Sequence, residues 1–155
     1  MKNEYVICPA EASDAAGVAA IELECFSEPW SENAVLSEIE AENSVFVVCR
    51  NASGVCGYGS GRDNYGEFYV NNIAVTAQAR RNGIGEALLL KLVSEVEKRG
   101  CDFLTLEVRA SNHAARRLYE KCGLSEVGLR RGFYRSPTED AVLYTIYSNQ
   151  SEKNQ

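Results

Sequence analysis

Hydrophobic residues recur at helical spacing through the first third of the chain. A short apolar strand at residues 5–8 precedes two helical stretches, one capped by Asp14 and running to about residue 26, the other capped by Ser31. The first stretch takes its predicted buried side from Val18, Ile21, Leu23 and Phe26. The pattern therefore predicts one strand followed by two helices.

Extended segments dominate the rest of the chain, interrupted by two further helices. Strands are predicted at residues 44–50, 55–61, 67–75, 103–108, 125–131 and 141–147, and helices from Ile84 to Gly100 and from Asn112 to Gly123. The resulting order is β-α-α-β-β-β-α-β-α-β-β. It predicts an α+β fold, in which a mixed, mostly antiparallel sheet of about seven strands carries helices on both faces.

Length and composition indicate an ordinary globular protein. The chain has 155 residues, of which 45% are hydrophobic and 25% charged, and no repeat or linker divides it. We expect a single domain over residues 1–155, structured from about 5 to 147 and ending in a flexible tail at 148–155. No signal peptide or membrane-spanning run is recognisable, which predicts a cytoplasmic protein with no membrane partner.

Charge and metal-ligand content narrow the function classes. The formal net charge of −6 argues against direct nucleic-acid binding and would suit a basic peptide partner. Six cysteines without a Cys-x-x-Cys pair, together with one histidine, predict no metal site.

The segment Arg80–Gly85 has the composition of an anion-binding loop. It lies between the apolar strand at residues 67–75 and the amphipathic helix from Ile84, and it contains Gly83 and Gly85. Glycines at a helix start let backbone N–H groups converge where the helix dipole adds positive potential. This arrangement predicts a phosphate or pyrophosphate site whose arginines could help to neutralise the ligand.

Two polar residues stand out in apolar surroundings. Glu107 shares a strand face with Phe103 and Thr105, and Tyr119 belongs to the apolar side of the helix that follows this strand. A buried carboxylate is costly unless it is partnered or used. From these residues alone, Glu107 could form a structural salt bridge with Arg109 or another arginine, Tyr119 could be a core tyrosine, and Asn112 is by default a helix cap.

Taken together, the motifs resemble the GNAT N-acetyltransferase superfamily and, within it, the RimI-type ribosomal-protein-alanine N-acetyltransferases. The resemblance covers about residues 5–147. Its motifs are Ile73-Ala74-Val75, Arg80-Arg81-Asn82-Gly83-Ile84-Gly85, residues 106–112 and 118–123, Pro29-Trp30-Ser31, Arg130-Arg131-x-Phe133-Tyr134 and Glu139-Asp140-Ala141.

The resemblance implies that acetyl-CoA is the donor and co-substrate, without a metal. It places the pyrophosphate at the segment that begins with Arg80, on the backbone N–H groups of Arg81, Asn82, Gly83, Ile84 and Gly85. It places the pantetheine arm along Ile73, Ala74 and Val75 and near Asn112. It further implies Glu107 as the general base and Tyr119, also beside the cofactor, as the general acid. The transfer would be direct, with no covalent intermediate on the enzyme.

The acceptor implied by the resemblance is a protein N-terminus, in particular the N-terminal alanine of a small-subunit ribosomal protein. Trp30, Glu107 and Tyr134 would bind it, although Trp30 could instead be a core anchor next to a proline turn. Phe133 stands where the subfamily frequently has a tyrosine, which weakens the case for alanine. A lysine or small-amine acetyltransferase and a non-catalytic acyl-CoA-binding module remain the alternatives.

Overall fold

A computed structural model of the chain describes residues 4–148 and contains a single seven-stranded sheet. The strands are β1 Val6–Pro9, β2 Ser44–Asn51, β3 Gly54–Asn64, β4 Glu67–Val75, β5 Phe103–Arg109, β6 Ser125–Tyr134 and β7 Glu139–Tyr147. The helices are α1 Ala15–Cys25, α2 Glu32–Glu40, α3 Ile84–Lys98 and α4 His113–Lys121. The predicted tail, apart from Ser148, lies outside the described residues.

The sheet has the order β1-β2-β3-β4-β5-β7-β6 and helices on both faces. Successive residues of β2 point to opposite faces, so Val48 packs with α1 and α2 while Val47 packs with α3. Every neighbouring pair is antiparallel except β4 and β5, which are parallel. The predicted α+β architecture is therefore confirmed.

The parallel pair β4–β5 separates part of the way along its length. Pairing runs only from Glu67 opposite Phe103 to Tyr69 opposite Thr105. Beyond that point β4 stays paired with β3 as far as Val75, and β5 stays paired with β7 as far as Arg109. The two strands therefore splay apart and leave a cleft between them.

A β-bulge interrupts β4 where the splay begins. Ser60 of β3 lies opposite Asn72, whereas the next residue, Gly61, lies opposite Val70, so Asn71 is the extra residue. At Gly61 a side chain would collide with the ring of Phe68, which explains the glycine. Because the bulge breaks the alternation of side chains, the adjacent Asn71 and Asn72 both reach the helices on one face, contacting α2 and α1 respectively.

The start and the buried side of α1 differ from the prediction. Leu23, predicted to be buried, is 73% exposed, whereas Glu22 is fully buried. Asp14 does not cap α1 with its side chain, because a 3₁₀ turn at Ala12–Asp14 precedes the helix. Its carboxylate instead accepts from the Glu11 N–H at 2.8 Å and pairs with Arg50 at 2.6 Å.

Candidate active site

The cleft between the splayed strands encloses a volume of about 630 Å³. Its walls come from the segment between α1 and α2, from β4 and β5, from α4 and its start, and from the end of β6. Six of the residues singled out from the sequence line it: Trp30, Ile73, Glu107, Asn112, Tyr119 and Tyr134. The fold thus brings together side chains that are up to about a hundred residues apart in the chain.

Glu107 lies on β5 at the cleft, with its side chain about a quarter exposed. The arginine that faces it is Arg130, with Nε 3.5 Å from a carboxylate oxygen, and the side chain of Arg130 is itself more than half exposed. Arg109 is engaged elsewhere, donating to the Pro137 carbonyl at 2.8 Å and to Glu139 at 3.4 Å. Because exposed ion pairs are weak, the pair with Arg130 leaves the carboxylate of Glu107 available to a ligand in the cleft.

Tyr119 reaches the same cleft from α4. Its ring packs against the hydrophobic core. Burial raises the pKa of its hydroxyl to about 12, with smaller contributions from Tyr134 and Cys122. The phenol therefore keeps its proton at neutral pH, as a proton donor must.

Tyr134 forms a wall of the cleft near the end of β6. The guanidinium of Arg109 lies 4.6 Å from the centroid of its ring, in a cation–π contact. Burial and the charge of Glu107 raise the pKa of its hydroxyl to about 12. Tyr134 is therefore held in place and neutral beside Glu107.

Trp30 forms another wall of the cleft, from the segment between α1 and α2. Its backbone N–H donates to a carboxylate oxygen of Glu22 at 2.8 Å, and its partly buried indole packs on the core beneath α1 and α2. The two interpretations of Trp30 are thus compatible, because the residue is anchored by the core and also borders the cleft.

The glycine segment forms an open helix N-terminus next to the end of β4. Gly83 precedes α3 in a left-handed conformation with φ of 76°, and no protein atom lies within 4 Å of the position that a Cβ would occupy there. The first N–H groups of a helix have no partner inside the helix, and no side chain caps α3. Space, free donors and the helix dipole together fit the pyrophosphate of acetyl-CoA.

Two side chains of this segment turn towards the protein. Arg80 donates from Nε to the Val75 carbonyl at 3.1 Å and lies 4.0 Å from Glu24, while Asn82 donates to the Ala79 carbonyl at 2.9 Å. Arg80, one of the two arginines expected to help neutralise a ligand, therefore joins the end of β4 to the turn before α3. The N–H groups remain the donors that the open helix N-terminus offers.

Asn112 caps α4 and also borders the cleft. Its side-chain oxygen accepts from the Ala115 N–H at 3.2 Å. Ser111, its neighbour, donates its N–H to Glu139 at 2.6 Å, which connects the start of α4 to β7. The cap fixes where α4 begins and hence where Tyr119 lies.

Hydropathy alone missed one buried residue that accepts hydrogen bonds from Trp30 and Asn72, both of which line the cleft. Glu22 lies four residues after Val18 and three before Cys25, and therefore on the same side of the helix as both. That spacing was a usable signal, although a carboxylate is rarely buried.

Within residues 4–148 there is no cluster of side chains able to hold a metal ion. Over the same range no helix has the length and apolar character needed to cross a membrane.

A mixed sheet that splays beside an open helix N-terminus defines the class of this protein. The chain belongs to the GNAT family of acetyltransferases, because the model of the Acetyltransferase (GNAT) family matches residues 15–124. The predictions of this fold, of an acetyl-CoA-dependent N-acetyltransferase and of acetyl-CoA as co-substrate are confirmed.

Particular relatives resemble the chain over most of its length. It is 35% identical over 142 residues to the [ribosomal protein bS18]-alanine N-acetyltransferase of Escherichia coli, covering 90% of this chain and 95% of the relative. It is 28% identical over 151 residues to the putative enzyme of the same name from Bacillus subtilis, covering 97% of this chain and all of the relative.

Solved structures of other proteins superpose on this chain over most of its length. The crystal structure of the ribosomal-protein-S18-alanine N-acetyltransferase from Escherichia coli superposes with a TM-score of 0.85 at 34% identity, covering 93% of this chain and 94% of the other. Arabidopsis thaliana NAA60 in complex with acetyl-CoA has a TM-score of 0.83 at 17% identity, with 93% and 99% covered. The second likeness concerns the fold alone.

Proposed function

We propose that this chain acetylates the N-terminal α-amino group of a protein, and that the natural acceptor is the N-terminal alanine of a small-subunit ribosomal protein. The similarity to the Escherichia coli enzyme over nearly the whole of both chains supports this acceptor. The observation that carries the proposal is the placement of Glu107 and Tyr119 on one cleft that Trp30 and Tyr134 also line.

In this proposal acetyl-CoA binds along the lip of the cleft formed by β4. The N–H groups of residues 81–85 bind the pyrophosphate. The pantetheine arm pairs with the part of β4 from Ile73 to Val75, which has lost its β5 neighbour. Asn112 borders the cleft where the arm would pass. The acetyl group would then lie between Glu107 and Tyr119.

The chemistry requires one base and one acid. An α-amino group has a pKa of about 7.7–8.0, so a useful fraction is neutral at physiological pH. As the amine nitrogen attacks the thioester carbon, Glu107 accepts its proton, directly or through water. The carbon–sulfur bond breaks, and the leaving thiolate takes the proton of Tyr119. Solvent then restores both groups, and the products are the N-acetylated acceptor and free CoA.

The space between Trp30 and Tyr134 in the cleft, the proposed acceptor groove, favours a peptide over a small amine. Trp30 and Tyr134 belong to separate elements, and each is held by a neighbouring residue, Trp30 by Glu22 and Tyr134 by Arg109. Two fixed aromatic walls suit the first residues of a polypeptide. An acyl-CoA-binding module without catalysis would need neither wall, nor an acid and a base.

Replacing the base tests the mechanism. Glu107→Gln should lower kcat by about 10²- to 10⁴-fold, the range of general acid–base contributions, with the Kd for acetyl-CoA nearly unchanged. Glu126→Gln is the matched control, since Glu126 lies on β6, does not line the cleft, and is paired with Arg116 at 3.7 Å. Equal rates for Glu107→Gln and the control would remove Glu107 from the mechanism.

A further inference from the structure

Glu22 is a fully buried carboxylate behind Trp30 and Asn72, which line the cleft, and its hydrogen-bond partners are all neutral groups. One oxygen accepts from the backbone N–H of Trp30 at 2.8 Å. The other accepts from the side-chain amide of Asn72 at 3.1 Å and from the hydroxyl of Tyr58. These partners come from the segment between α1 and α2, from β4 and from β3, so one carboxylate joins three elements around the cleft.

Such a carboxylate is expensive to bury, because its partners supply hydrogen bonds but no opposite charge. Tyr58 is itself fully buried. Burial and the neighbouring Glu22 raise the pKa of its hydroxyl, so it stays protonated and donates. An apolar side chain at position 22 would pack equally well. The distinctive effect of the carboxylate is therefore to orient the groups that donate hydrogen bonds to it.

The carboxylate determines which way the amide of Asn72 faces. A carboxylate only accepts hydrogen bonds, so the NH₂ group of Asn72 must point to Glu22. The carbonyl oxygen is then the remaining polar atom of this side chain. Asn72 borders the cleft on β4, one residue past the bulge, and Glu107 borders it on β5. The two strands that border the cleft, β4 and β5, thus each carry a hydrogen-bond acceptor.

We propose that Asn72 binds the acceptor amine through its carbonyl oxygen, and that Glu22 is the positioning residue that keeps this oxygen available. A neutral primary amine has two N–H groups and one lone pair. If Asn72 accepts one N–H and Glu107 accepts the other, the lone pair is directed towards the thioester. This inference rests on the proposed function only in requiring that the acceptor is an amine.

The same carboxylate also connects amine binding to the groove. Glu22 holds Trp30, a wall of the groove, by the backbone N–H of that residue. A change at position 22 would therefore disturb both the amine and the peptide that carries it. The binding of acetyl-CoA, whose pyrophosphate lies at the start of α3 in the proposed function, would not be affected.

A double-mutant cycle tests the inference. In Glu22→Gln the new NH₂ group can donate to the Asn72 oxygen and invert its amide, so kcat/KM for a peptide acceptor should fall about tenfold or more. Asn72→Ala should lower it similarly, and the Kd for acetyl-CoA should stay within about twofold in both. Because Glu22 acts through Asn72, the double variant should be no slower than the slower single variant.

Additive losses in the double variant, or full activity of Asn72→Ala, would overturn the inference. Asp14→Asn controls for the loss of a buried carboxylate, because Asp14 is 5% exposed, pairs with Arg50 and does not line the cleft. It should lower the thermal midpoint without lowering kcat/KM. If Glu22→Gln does not fold, Asn72→Ala alone decides, since it leaves the carboxylate intact.

The outcomes separate this inference from the proposed function. Wild-type protein that acetylates no peptide N-terminus refutes the proposed function, and the cycle is then measured with whichever amine is acetylated. Wild-type protein that acetylates the N-terminus while Asn72→Ala is equally fast refutes only the role of Asn72.

Discussion

Tyr119 and Tyr144 lie edge to face, with ring centroids 5.7 Å apart and an angle of 64° between the rings, yet only Tyr119 lines the cleft. The hydroxyl of Tyr144 accepts from Arg116 and donates to Glu120, each at 3.1 Å. Tyr144 therefore supports the ring of Tyr119, and the proposed function assigns the proton donor to Tyr119, the one of the two that lines the cleft.

Removing the Tyr119 hydroxyl should separate chemistry from binding. Tyr119→Phe keeps the ring and its packing, so the Kd for acetyl-CoA should hardly change. Turnover should fall by about 10²-fold or more, because the leaving thiolate loses its proton donor. Steady-state kinetics and titration calorimetry measure the two effects.

Tyr144→Phe is the matched control for that substitution. It removes a hydroxyl from the adjacent ring and breaks the contacts with Arg116 and Glu120. It should cost stability and leave kcat close to the wild-type value. If Tyr119→Phe is as active as Tyr144→Phe, Tyr119 is not the acid.

The dependence of the rate on pH follows from the raised pKa of Tyr119. Since burial raises that pKa to about 12, the phenol stays protonated through pH 10. The rate with a peptide acceptor should rise as its α-amino group deprotonates, near pH 7.7–8.0, and should then stay level to pH 10. A decline of kcat with a midpoint at or below pH 9, in protein that remains folded, would contradict this assignment of the acid.

Gly83 is predicted to serve the ligand as well as the left-handed turn before α3. In Gly83→Val the side chain would enter the open space at the start of α3, so the Kd for CoA should rise about tenfold or more. The left-handed conformation itself costs a residue with a side chain roughly 1–2 kcal/mol. Calorimetric titration with CoA measures the change.

Gly54→Val controls for the strain at Gly83. Gly54 also has a positive φ, of 112°, and open space around it, but it is the first residue of β3, directly after the hairpin turn, and does not line the cleft. Both variants should lose stability, and only Gly83→Val should lose affinity for CoA. Unaltered CoA binding in Gly83→Val would refute the pyrophosphate site.

The order of the elements was predictable because local signals determine it. Periodicity marks each helix and strand, and the Gly54 turn marks the first hairpin. The splay of β4 from β5 was not visible to such signals, since it depends on which strands pair and where the pairing ends. Its end at Tyr69 and Thr105 is a property of the assembled sheet.

The site was predictable in part, for a related reason. Their apolar surroundings singled out Glu107 and Tyr119, the motif resemblance implied their roles, and both line one cleft. Hydropathy chose Leu23 over Glu22 for the buried side of α1, because the donors that make Glu22 tolerable are distant in sequence. Tyr58 is 36 residues away and Asn72 is 50 residues away. Burial of a charge is decided by such tertiary partners.

Mass spectrometry of the acetylated products shows whether this chain transfers the acetyl group to a protein N-terminus. The wild-type protein is incubated with acetyl-CoA and peptides that begin with alanine, serine or methionine and contain one internal lysine. Fragment ions then locate the acetyl group on either the α-amino group or the lysine. We predict one acetyl group on the N-terminal alanine, formed faster than on the other N-termini and absent from the lysine. Acetylation of the lysine alone, or CoA release only with small amines, would contradict the proposed function.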